Sequence, residues 1–408
     1  MSFPELTIGE LEAQGCVIAI QDGNHGEKHP KANDYVPEGV PFIMASDISA
    51  GYVDVGGANK LPQSITDKLR IGFCYGGDVL LSHKGSVGYV AIAPEHSPYL
   101  MLTPQVTYYR VNPERLSAEF LSYAFRDPMF QKRLLSTAGQ QGTRGYVGIR
   151  AQRQLKVRFC SRSIQDRVVQ AVKPYDDLIE NNRRRIALLE EAARMLYREW
   201  FVYFRFPGHE HVKIMNGIPE GWERRMLGDV VEVVKDGVKP SEFADDDIHI
   251  GLEHIPRRSF TLADWEPADD LASGKIRFEP GDILFCKIRP YFHKVGFALR
   301  SGLASSDALV WRVLNENDWP LMVCATSSDH FVAVASKTVR EGSKMPRADW
   351  SVLKKYVIPT PPEGLLGVFN EAIRPITAQC KNLALQNRSL AEARDVLLPR
   401  LMSGEIAV

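Results

Sequence analysis

The segment Gly77-Asp78-Val79-Leu80-Leu81-Ser82-His83-Lys84 returns later in the chain as Gly281-Asp282-Ile283-Leu284-Phe285-Cys286-Lys287. A second segment, Leu189-Glu190-Glu191-Ala192, returns about two hundred residues later as Leu390-Ala391-Glu392-Ala393. Repetition at this spacing predicts a duplicated unit in which each copy joins a globular part to a helix. Two similar surfaces on one chain suit a target that is itself made of two half-sites.

Length and composition predict a soluble, multidomain protein. The 408 residues exceed what one hydrophobic core usually supports, and 44% hydrophobic with 25% charged residues is ordinary for globular proteins. The sequence has no long apolar run typical of a membrane helix, and its first residues do not resemble a secretion signal, so we expect a cytoplasmic protein with no membrane partner. The cysteines follow no metal or disulfide spacing, and we expect buried thiols at Cys16, Cys74, Cys160, Cys286, Cys324 and Cys380.

The charges are segregated along the chain, although the formal net charge is zero. Zero net charge argues against a simple basic coat for nucleic acid. Residues 242–270 carry nine acidic side chains against only Arg257 and Arg258. Residues 131–162 carry no acidic side chain and the following basic ones: Lys132, Arg133, Arg144, Arg150, Arg153, Lys156, Arg158 and Arg162.

Two long stretches have the heptad spacing of a coiled coil. Each apolar position of the second run lies 201 residues after its counterpart in the first, and each run places one asparagine in the seam, Asn182 and Asn387. A seam asparagine commonly fixes register and orientation. The first run is Val168, Val172, Tyr175, Ile179, Asn182, Ile186, Leu189, Ala193, Leu196 and Trp200, and the second is Phe369, Ile373, Ile376, Cys380, Leu383, Asn387, Leu390, Arg394, Leu397 and Leu401.

These patterns predict an α+β fold with two mixed α/β domains separated by two long helices, which form an antiparallel coiled coil in a pseudo-two-fold repeat. The predicted parts are a first domain at 1–163, a first spacer helix at 164–205, a second domain at 206–362, and a second spacer helix with the C-terminal tail at 363–408. A further helix is predicted from Ala118 to Leu135. The alternative is that each long helix packs only on its own globular domain.

An aromatic cluster lies at the end of the first long helix. It is either an anchor for a partner or a seal between the helix and a domain. Its members are Tyr197, Trp200, Phe201, Tyr203 and Phe204.

Each globular half has a strand that ends in a basic loop. Gly85 and Gly88 in the first loop allow close approach to a partner backbone. Lysine and arginine side chains in such loops can contact phosphate or a guanine edge, although a solvated hairpin lysine is the plainer interpretation. The candidates for DNA contact are Lys84 and Ser86 in the first half and Lys287, Arg289 and Tyr291 in the second.

A second loop precedes the last strand of each half. Glutamine and arginine can pair in a two-pronged manner with adenine and guanine edges, and neighbouring glycines reduce steric bulk where a groove is entered. A polar turn with a solvated arginine is the alternative. The candidates are Gln140, Gln141, Thr143, Arg144 and Tyr146 in the first half and Ser343, Lys344 and Arg347 in the second.

Catalytic and cofactor motifs are absent from the sequence. It contains no G-x-x-x-x-G-K-[ST], H-E-x-x-H or G-x-S-x-G segment, and no Asn-Pro-Pro-aromatic segment of the kind found in amino-methyltransferase pockets. A nuclease site at the repeated Gly-Asp strands would lack its second carboxylate, because Ser82 and Phe285 stand two residues before the lysines. We therefore expect a non-enzymatic chain that binds no metal and no cofactor.

Taken together in this order, the motifs resemble the DNA specificity subunits of type I restriction-modification systems over essentially the whole chain. The residues that carry the resemblance are the openings at 8–11 and 218–230, the two Gly-Asp strands, the repeated helical segment at 189–192, and Leu397-Leu398-Pro399-Arg400-Leu401-Met402-Ser403-Gly404-Glu405. The second Gly-Asp strand departs from the first, since Ile288-Arg289-Pro290 replaces the Gly-Ser-Val-Gly loop. The two halves therefore should not read the same bases.

The resemblance implies a subunit that reads double-stranded DNA through one target-recognition domain per half-site, with the helix pair acting as a ruler. It also implies docking to two methyltransferase subunits, which would bind S-adenosylmethionine and methylate adenine, and through them to restriction subunits that use ATP and Mg. Three alternatives remain: a coiled-coil adaptor that does not bind DNA, a self-contained methyltransferase, and a specificity subunit of a related defence complex.

Overall fold

The computed structural model describes residues 3–26, 28–49, 51–139, 145–269, 271–338 and 345–407. The chain divides into two compact units, residues 1–178 with 390–408 (unit 1) and residues 179–389 (unit 2). Each unit includes part of both long helices. The four-part division predicted from the sequence separates the helices from the globular parts, and it stays a prediction.

Unit 1 is built on two four-stranded sheets, with strand orders β2-β11-β8-β9 and β6-β3-β10-β7. Its strands are β1 (Glu5–Thr7), β2 (Val17–Asp22), β3 (Val40–Ile43), β4 (Ile48–Ser49), β5 (Tyr52–Val53), β6 (Asn59–Leu61), β7 (Phe73–Cys74), β8 (Val79–Ser82), β9 (Val90–Ile92), β10 (Leu100–Leu102), β11 (Val106–Val111) and β12 (Lys156–Arg158). Its helices are α1 (Ile8–Ala13), α2 (Gln63–Thr66), α3 (Ala118–Arg126), α4 (Pro128–Gly139), α5 (Ile149–Gln152) and the first part of α6 (Arg162–Tyr197).

Unit 2 repeats this architecture with five-stranded sheets, in the orders β16-β25-β22-β23-β19 and β17-β21-β24-β18-β20. Its strands are β13 (Ile214–Met215), β14 (Ile218–Pro219), β15 (Glu223–Met226), β16 (Val231–Val233), β17 (Gly237–Val238), β18 (Ile248–Ile250), β19 (Thr261–Leu262), β20 (Glu266–Pro267), β21 (Lys275–Phe278), β22 (Ile283–Cys286), β23 (Val295–Ala298), β24 (Gly302–Ala304), β25 (Ala308–Val313) and β26 (Val357–Thr360). Its helices are α7 (Leu227–Val230), α8 (Trp319–Thr326), α9 (Asp329–Lys337), α10 (Trp350–Leu353) and most of α11 (Glu363–Met402).

The repeated Gly-Asp segment has a structural role in both units. Asp78, just before β8, accepts hydrogen bonds at 2.8 and 2.7 Å from the guanidinium of Arg110 on β11. Asp282, just before β22, accepts hydrogen bonds at 2.8 and 2.6 Å from Arg312 on β25. Both aspartates are buried, and each joins the two central strands of its sheet. The repeat in the sequence is therefore a repeat of sheet construction.

The helix predicted from Ala118 to Leu135 is interrupted in the structure. α3 ends at Arg126, and α4 begins at Pro128. Asp127 between them has an extended backbone, because a proline disfavours helical geometry in the residue before it. Together the two helices cover the predicted span and extend it to Gly139.

The long helices run antiparallel within each unit. In unit 1, Val168 and Val172 of α6 belong to one apolar cluster with Leu398 and Leu401 of α11. In unit 2, Asn182 of α6 lies beside Asn387 of α11, with Asn182 Nδ2 donating to Asn387 Oδ1 at 3.0 Å. Residue numbers rise along one helix as they fall along the other, so the predicted antiparallel pairing is confirmed. The direct contact between the two seam asparagines was not predicted and is a finding of the structure.

The seam residues also join the globular cores, so the long helices pack on the globular parts as well as on each other, and the alternative that each packs only on its own domain is wrong. The unit 2 core contains Ala193 of α6 and Phe369 of α11 together with residues of its sheets. The aromatic cluster at the end of α6 joins this core through Tyr197, Trp200, Phe201 and Phe204, whereas Tyr203 is exposed. Phe201 lies with its ring centroid 5.5 Å from Trp222 and 4.8 Å from Phe369. The cluster therefore seals the helix against the domain, and the mixed α+β fold predicted from the sequence is confirmed.

All six cysteines are buried, as expected, and burial raises the pKa of each thiol. Among the described residues, no helix has the length and apolar character needed to cross a membrane.

Candidate nucleic-acid interface

In unit 1 the two predicted loops are hydrogen-bonded neighbours. Lys84 and Tyr146 form an isolated antiparallel bridge, supported by the Gly85 amide donating to Gly145 O at 3.0 Å and the Val147 amide donating to His83 O at 2.9 Å. The Lys84 ammonium lies 5.9 Å from the centroid of the Tyr146 ring, and both side chains are exposed. The structure therefore brings a cation and an aromatic ring together on one surface, where they can contact phosphate and base.

The glycines shape the first loop of unit 1. Gly85 has φ +78°, in the left-handed region that glycine adopts without strain. Gly88 has φ +104°, and its carbonyl accepts a hydrogen bond at 3.0 Å from Gln131 Nε2 on α4. A Cβ at Gly88 would lie 2.5 Å from Gln131 Oε1, so a side chain here would displace the Gln131 amide in addition to straining the backbone. Ser86 is exposed at the tip between them.

Unit 2 pairs its two loops in the same way. Ile288 and Arg347 form an isolated antiparallel bridge, with the Arg289 amide donating to Pro346 O at 2.8 Å and the Ala348 amide donating to Lys287 O at 2.8 Å. This matches the bridge of unit 1 bond for bond. Arg289 takes the place of Gly85 and has the same left-handed backbone, with φ +48°.

Arg289, Tyr291 and Arg347 are exposed, whereas Lys287 is half-buried and its ammonium contacts groups of unit 2 itself. Lys287 Nζ donates to Ser306 O at 2.6 Å and lies 3.8 Å from the Asp307 carboxylate. Asp307 also lies 3.1 Å from Arg347, which keeps 57% of its side chain exposed. Of the predicted unit 2 cations, the arginines are better placed for an external anion than Lys287.

Sequence reasoning missed Arg257 and Asp307. The Arg257 guanidinium lies 4.2 Å from the centroid of the Phe292 ring, and the Arg289 guanidinium lies 5.9 Å from the same centroid. Two exposed arginines therefore lie beside one aromatic ring. The sequence signal was the pair of basic residues at 257 and 258 within an otherwise acidic stretch. Three non-glycine residues in this region, Arg258, Arg289 and His293, have left-handed backbones, a feature that concentrates at functional sites.

Several predicted site residues lie outside the described part of the chain. These are Gln140, Gln141, Thr143, Arg144, Ser343 and Lys344.

Four of the eight basic residues in the stretch 131–162 are paired with acids that lie outside it in unit 1. Arg133 lies 2.8 Å from Glu5, and Arg153 lies 2.7 Å from Glu12. Arg158 lies 3.8 Å from Asp127, and Arg162 pairs with Asp166. The stretch contains no acidic residue in the sequence, but in the fold several of its basic side chains lie beside acidic ones. Its exposed cations that carry no recorded ion pair among the described residues are Lys132, Arg150 and Lys156.

A group of possible metal ligands occurs in unit 2, where donor atoms of His249, His254 and Glu266 lie within 4.8 Å of one another. The Gly251 amide donates to His254 Nδ1 at 3.0 Å, so the neutral ring carries its proton on Nε2, the nitrogen 3.9 Å from Glu266. His249 Nδ1 lies 2.8 Å from Glu266 Oε1, and this hydrogen bond lowers the pKa of Glu266. These contacts pair the Glu266 carboxylate with the two imidazole rings, and His249 Nε2 is buried without a hydrogen-bond partner among the described residues. The expected absence of a metal stays a prediction.

No protein-family model matches the chain. Over its whole length the chain is 24% identical, across 446 aligned positions, to the type I restriction enzyme MjaIX specificity subunit of Methanocaldococcus jannaschii, of which it covers 96%. A stretch of 156 residues, 37% of the chain, is 26% identical to 33% of the type I restriction enzyme EcoDI specificity subunit of Escherichia coli.

Among solved structures, the fold is similar to that of the S subunit of a type I restriction-modification system from M. genitalium. The TM-score is 0.54 at 14% sequence identity, and the match covers 98% of this chain and 96% of that one. This likeness agrees with the α+β architecture of two repeated units and two long helices. The resemblance found in the sequence is confirmed: the chain is similar, from end to end, to the specificity subunits of type I restriction enzymes.

Proposed function

We propose that this chain is the sequence-specific DNA-binding subunit of a type I restriction-modification complex and that each unit reads one half of a bipartite target. The observation that carries the proposal is the loop pair that occurs twice on the same scaffold, Lys84 with Tyr146 in unit 1 and Ile288 with Arg347 in unit 2. Exposed basic and aromatic side chains on such loops neutralise phosphates and contact base edges. Whole-length similarity to specificity subunits supports the same conclusion.

The chain itself is non-catalytic in this proposal. It docks two methyltransferase subunits, which bind S-adenosylmethionine and methylate adenine, and it reaches the restriction subunits, with their ATP and Mg, through the same complex. The complex works in the cytoplasm, and the paired long helices set the number of base pairs between the half-sites. A specificity subunit of a related defence methyltransferase complex is the nearest alternative, because it would need the same DNA-reading loops.

The two units should read different bases. Unit 1 presents a lysine and a tyrosine at its bridge, whereas unit 2 presents Arg347 with Arg289 and Arg257 close to Phe292. Arginine pairs with a guanine edge in a two-pronged manner, and lysine acts as a point charge on a flexible stem. The half-site read by unit 2 is therefore expected to contain guanine.

The test is selection of binding sites from a randomised DNA duplex by the full-length chain at two salt concentrations. We expect two enriched sequence blocks with a constant gap and weaker binding at higher salt. Arg347→Ala should lower the preference for the correct base within one sequence block by about 5- to 100-fold, the range for loss of one two-pronged base contact. The base preference in the other block should be unchanged. Arg133→Ala is the matched control, because Arg133 lies on α4 outside both loop pairs and is paired with Glu5.

Selection without enriched blocks, together with binding that does not depend on salt, would contradict the proposal and favour a coiled-coil adaptor. Stoichiometric binding of S-adenosylmethionine by the isolated chain would instead favour a self-contained methyltransferase.

A further inference from the structure

A buried chain of polar side chains lies beneath the loop pair of unit 1. Thr107 on β11 is at its centre: its Oγ1 lies 2.6 Å from Asp22 Oδ1 on β2 and 2.6 Å from His83 Nδ1. Gln152, at the end of α5, donates from Nε2 to the same hydroxyl at 3.0 Å and to Val147 O at 2.7 Å. The Gln152 carbonyl accepts a hydrogen bond from the Tyr109 hydroxyl.

The hydrogens of this chain can be assigned from donor and acceptor counts. The Thr107 hydroxyl has one proton, and the Asp22 carboxylate, which only accepts, takes it. The two lone pairs of the hydroxyl then accept from the Gln152 amide and from His83 Nδ1–H. In this arrangement each of the three groups around the hydroxyl meets a matching donor or acceptor, and the hydroxyl together with a backbone hydrogen bond to Pro104 holds the His83 ring. Burial lowers the pKa of His83, and the Asp22 carboxylate 3.7 Å away opposes that shift.

The hydrogen-bonded side chains of Asp22, Thr107, His83 and Gln152 connect directly to the proposed DNA-reading surface. The His83 ring lies edge-on to Tyr146 with centroids 5.7 Å apart, and the His83 carbonyl accepts from the Val147 amide at 2.9 Å. Lys84 follows His83 in sequence, and Val147 follows Tyr146. The two residues of the exposed bridge are therefore each one position away from a residue that the buried chain holds.

Unit 2 has apolar side chains at the positions equivalent to Thr107, Tyr109 and Gln152, while Lys287 occupies the position of His83 in the matching bridge. Leu309 stands where Thr107 stands, since Thr107 pairs with Leu81 and Leu309 pairs with Phe285, the corresponding residue of the repeated segment. Trp311 replaces Tyr109, and Leu353, at the end of α10, replaces Gln152. A polar chain that occurs in only one copy of a repeated scaffold is not required by the scaffold itself.

We propose that Thr107 is a positioning residue for DNA recognition, and that the chain of Asp22, Thr107, His83 and Gln152 holds the Lys84–Tyr146 bridge in the geometry that reads one half-site. The proposal rests on the function proposed above. In this proposal Thr107, which has no exposed surface, helps to determine which bases unit 1 prefers.

The test compares Thr107→Val, which keeps the shape and removes the hydroxyl, with Thr107→Ser, which keeps the hydroxyl. The full-length chain is assayed by quantitative binding to duplexes altered in one half-site at a time. We expect Thr107→Val to reduce discrimination at one half-site by about tenfold, because three buried partners lose their shared hydrogen-bonding group, and to leave the other half-site unchanged. Thr107→Ser should retain the preference of the natural protein.

Leu309→Val is the matched control in unit 2 and should leave the half-site of unit 1 unchanged. If Thr107→Val does not fold, the pair His83→Asn, whose amide can donate like Nδ1–H, and His83→Leu, which cannot, decides the same question. Unchanged discrimination in the hydroxyl-free or donor-free variants, or an equal loss at both half-sites, would overturn the positioning role. Absence of sequence preference in the natural protein would instead overturn the proposed function itself.

Discussion

The two units share their strand order, their Gly-Asp anchors and their loop bridges, but they differ in what lies beneath the bridges. Unit 1 places Thr107 and Gln152 in a hydrogen-bonded chain, whereas unit 2 places Leu309 and Leu353 in an apolar core. A repeated scaffold can therefore keep its backbone pairing while the supporting side chains change from polar to apolar. The comparison teaches that the difference in recognition between the halves need not be confined to exposed loop residues.

The units also differ in how they hold the first long helix. In unit 2, Glu190 of α6 is buried and its Oε1 accepts from Ser259 Oγ, Phe260 N, Thr261 N and Thr261 Oγ1 at 2.7 to 3.1 Å. In unit 1, Asp176 of α6 accepts from Arg126 of α3 and Arg394 of α11, both at 2.7 Å. One anchor is a carboxylate among mostly neutral donors, and the other is a carboxylate between two arginines.

Removal of the unit 2 anchor should have the largest effect. We expect Glu190→Ala to lower the free energy of unfolding of unit 2 by about 3–5 kcal/mol, because buried donors and the Arg194 guanidinium lose their acceptor. The measurement is urea unfolding of the full chain, with hydrogen exchange of the β19 amides to assign the loss to unit 2. Glu191→Ala is the control, since Glu191 is about half exposed and should change the same free energy by less than about 1 kcal/mol. Equal effects of the two substitutions would contradict the anchoring role.

The unit 1 anchor should be smaller in effect and sensitive to pH. Burial opposes ionisation of Asp176, but the hydrogen bonds and charges of Arg126 and Arg394 outweigh it and lower the pKa of this carboxyl. We expect Asp176→Asn to cost about 2 kcal/mol at neutral pH, as for a hydrogen bond to a charged group.

The sign of the pH dependence follows from the lowered pKa. A group whose pKa is depressed in the folded state stabilises that state above its unfolded pKa of about 3.9 and loses this contribution as pH falls through the folded value. The difference in unfolding free energy between the natural protein and Asp176→Asn should therefore shrink when pH is lowered below about 4. Asp177→Asn, at a more exposed neighbour, is the control. A difference that grows at low pH would show that the arginines do not stabilise the ionised carboxylate.

Repetition and periodicity predicted the scaffold, because both are local properties of the sequence. The heptad spacing predicted α6 and α11 and placed one asparagine in the seam of each, and the repeated Gly-Asp segments predicted equivalent strands. The loop at 84–88 was also found from the sequence, since glycine and lysine after a buried strand signal an exposed turn. Its pairing with residues 145–147 followed only from the fold.

The electrostatic environment could not be read from the sequence in the same way. Arg133 meets Glu5 and Arg153 meets Glu12 across more than a hundred positions, so two of the four acids that pair with the basic stretch lie far from it along the chain. Thr107 occurs in a strand where a threonine is ordinary, and its partners come from three other elements. Contacts of this kind depend on tertiary packing, which no local pattern encodes.

The smallest expected effect concerns the two seam asparagines, which form a polar layer in unit 2 among apolar seam residues such as Ala193 and Phe369. Asn182 Nδ2 donates to Asn387 Oδ1 at 3.0 Å and to Gln386 Oε1 at 3.1 Å, and Asn387 Nδ2 donates to Ile179 O at 3.2 Å. The corresponding layer in unit 1 is formed by Val168, Val172 and leucines of α11. The asparagines thus specify register at some cost in stability.

Asn182→Leu alone should lower the free energy of unfolding by about 1 kcal/mol, because the amide of Asn387 loses its partner in a half-buried layer. The double substitution Asn182→Leu with Asn387→Leu should restore that loss and raise stability by about 1 kcal/mol above the natural protein, because an apolar layer needs no hydrogen bonds. Denaturant unfolding measures both changes, and hydrogen exchange along α6 reports whether the register is kept. Losses that simply add in the double variant would show that the two asparagines act independently, and the polar layer would then have no role in register.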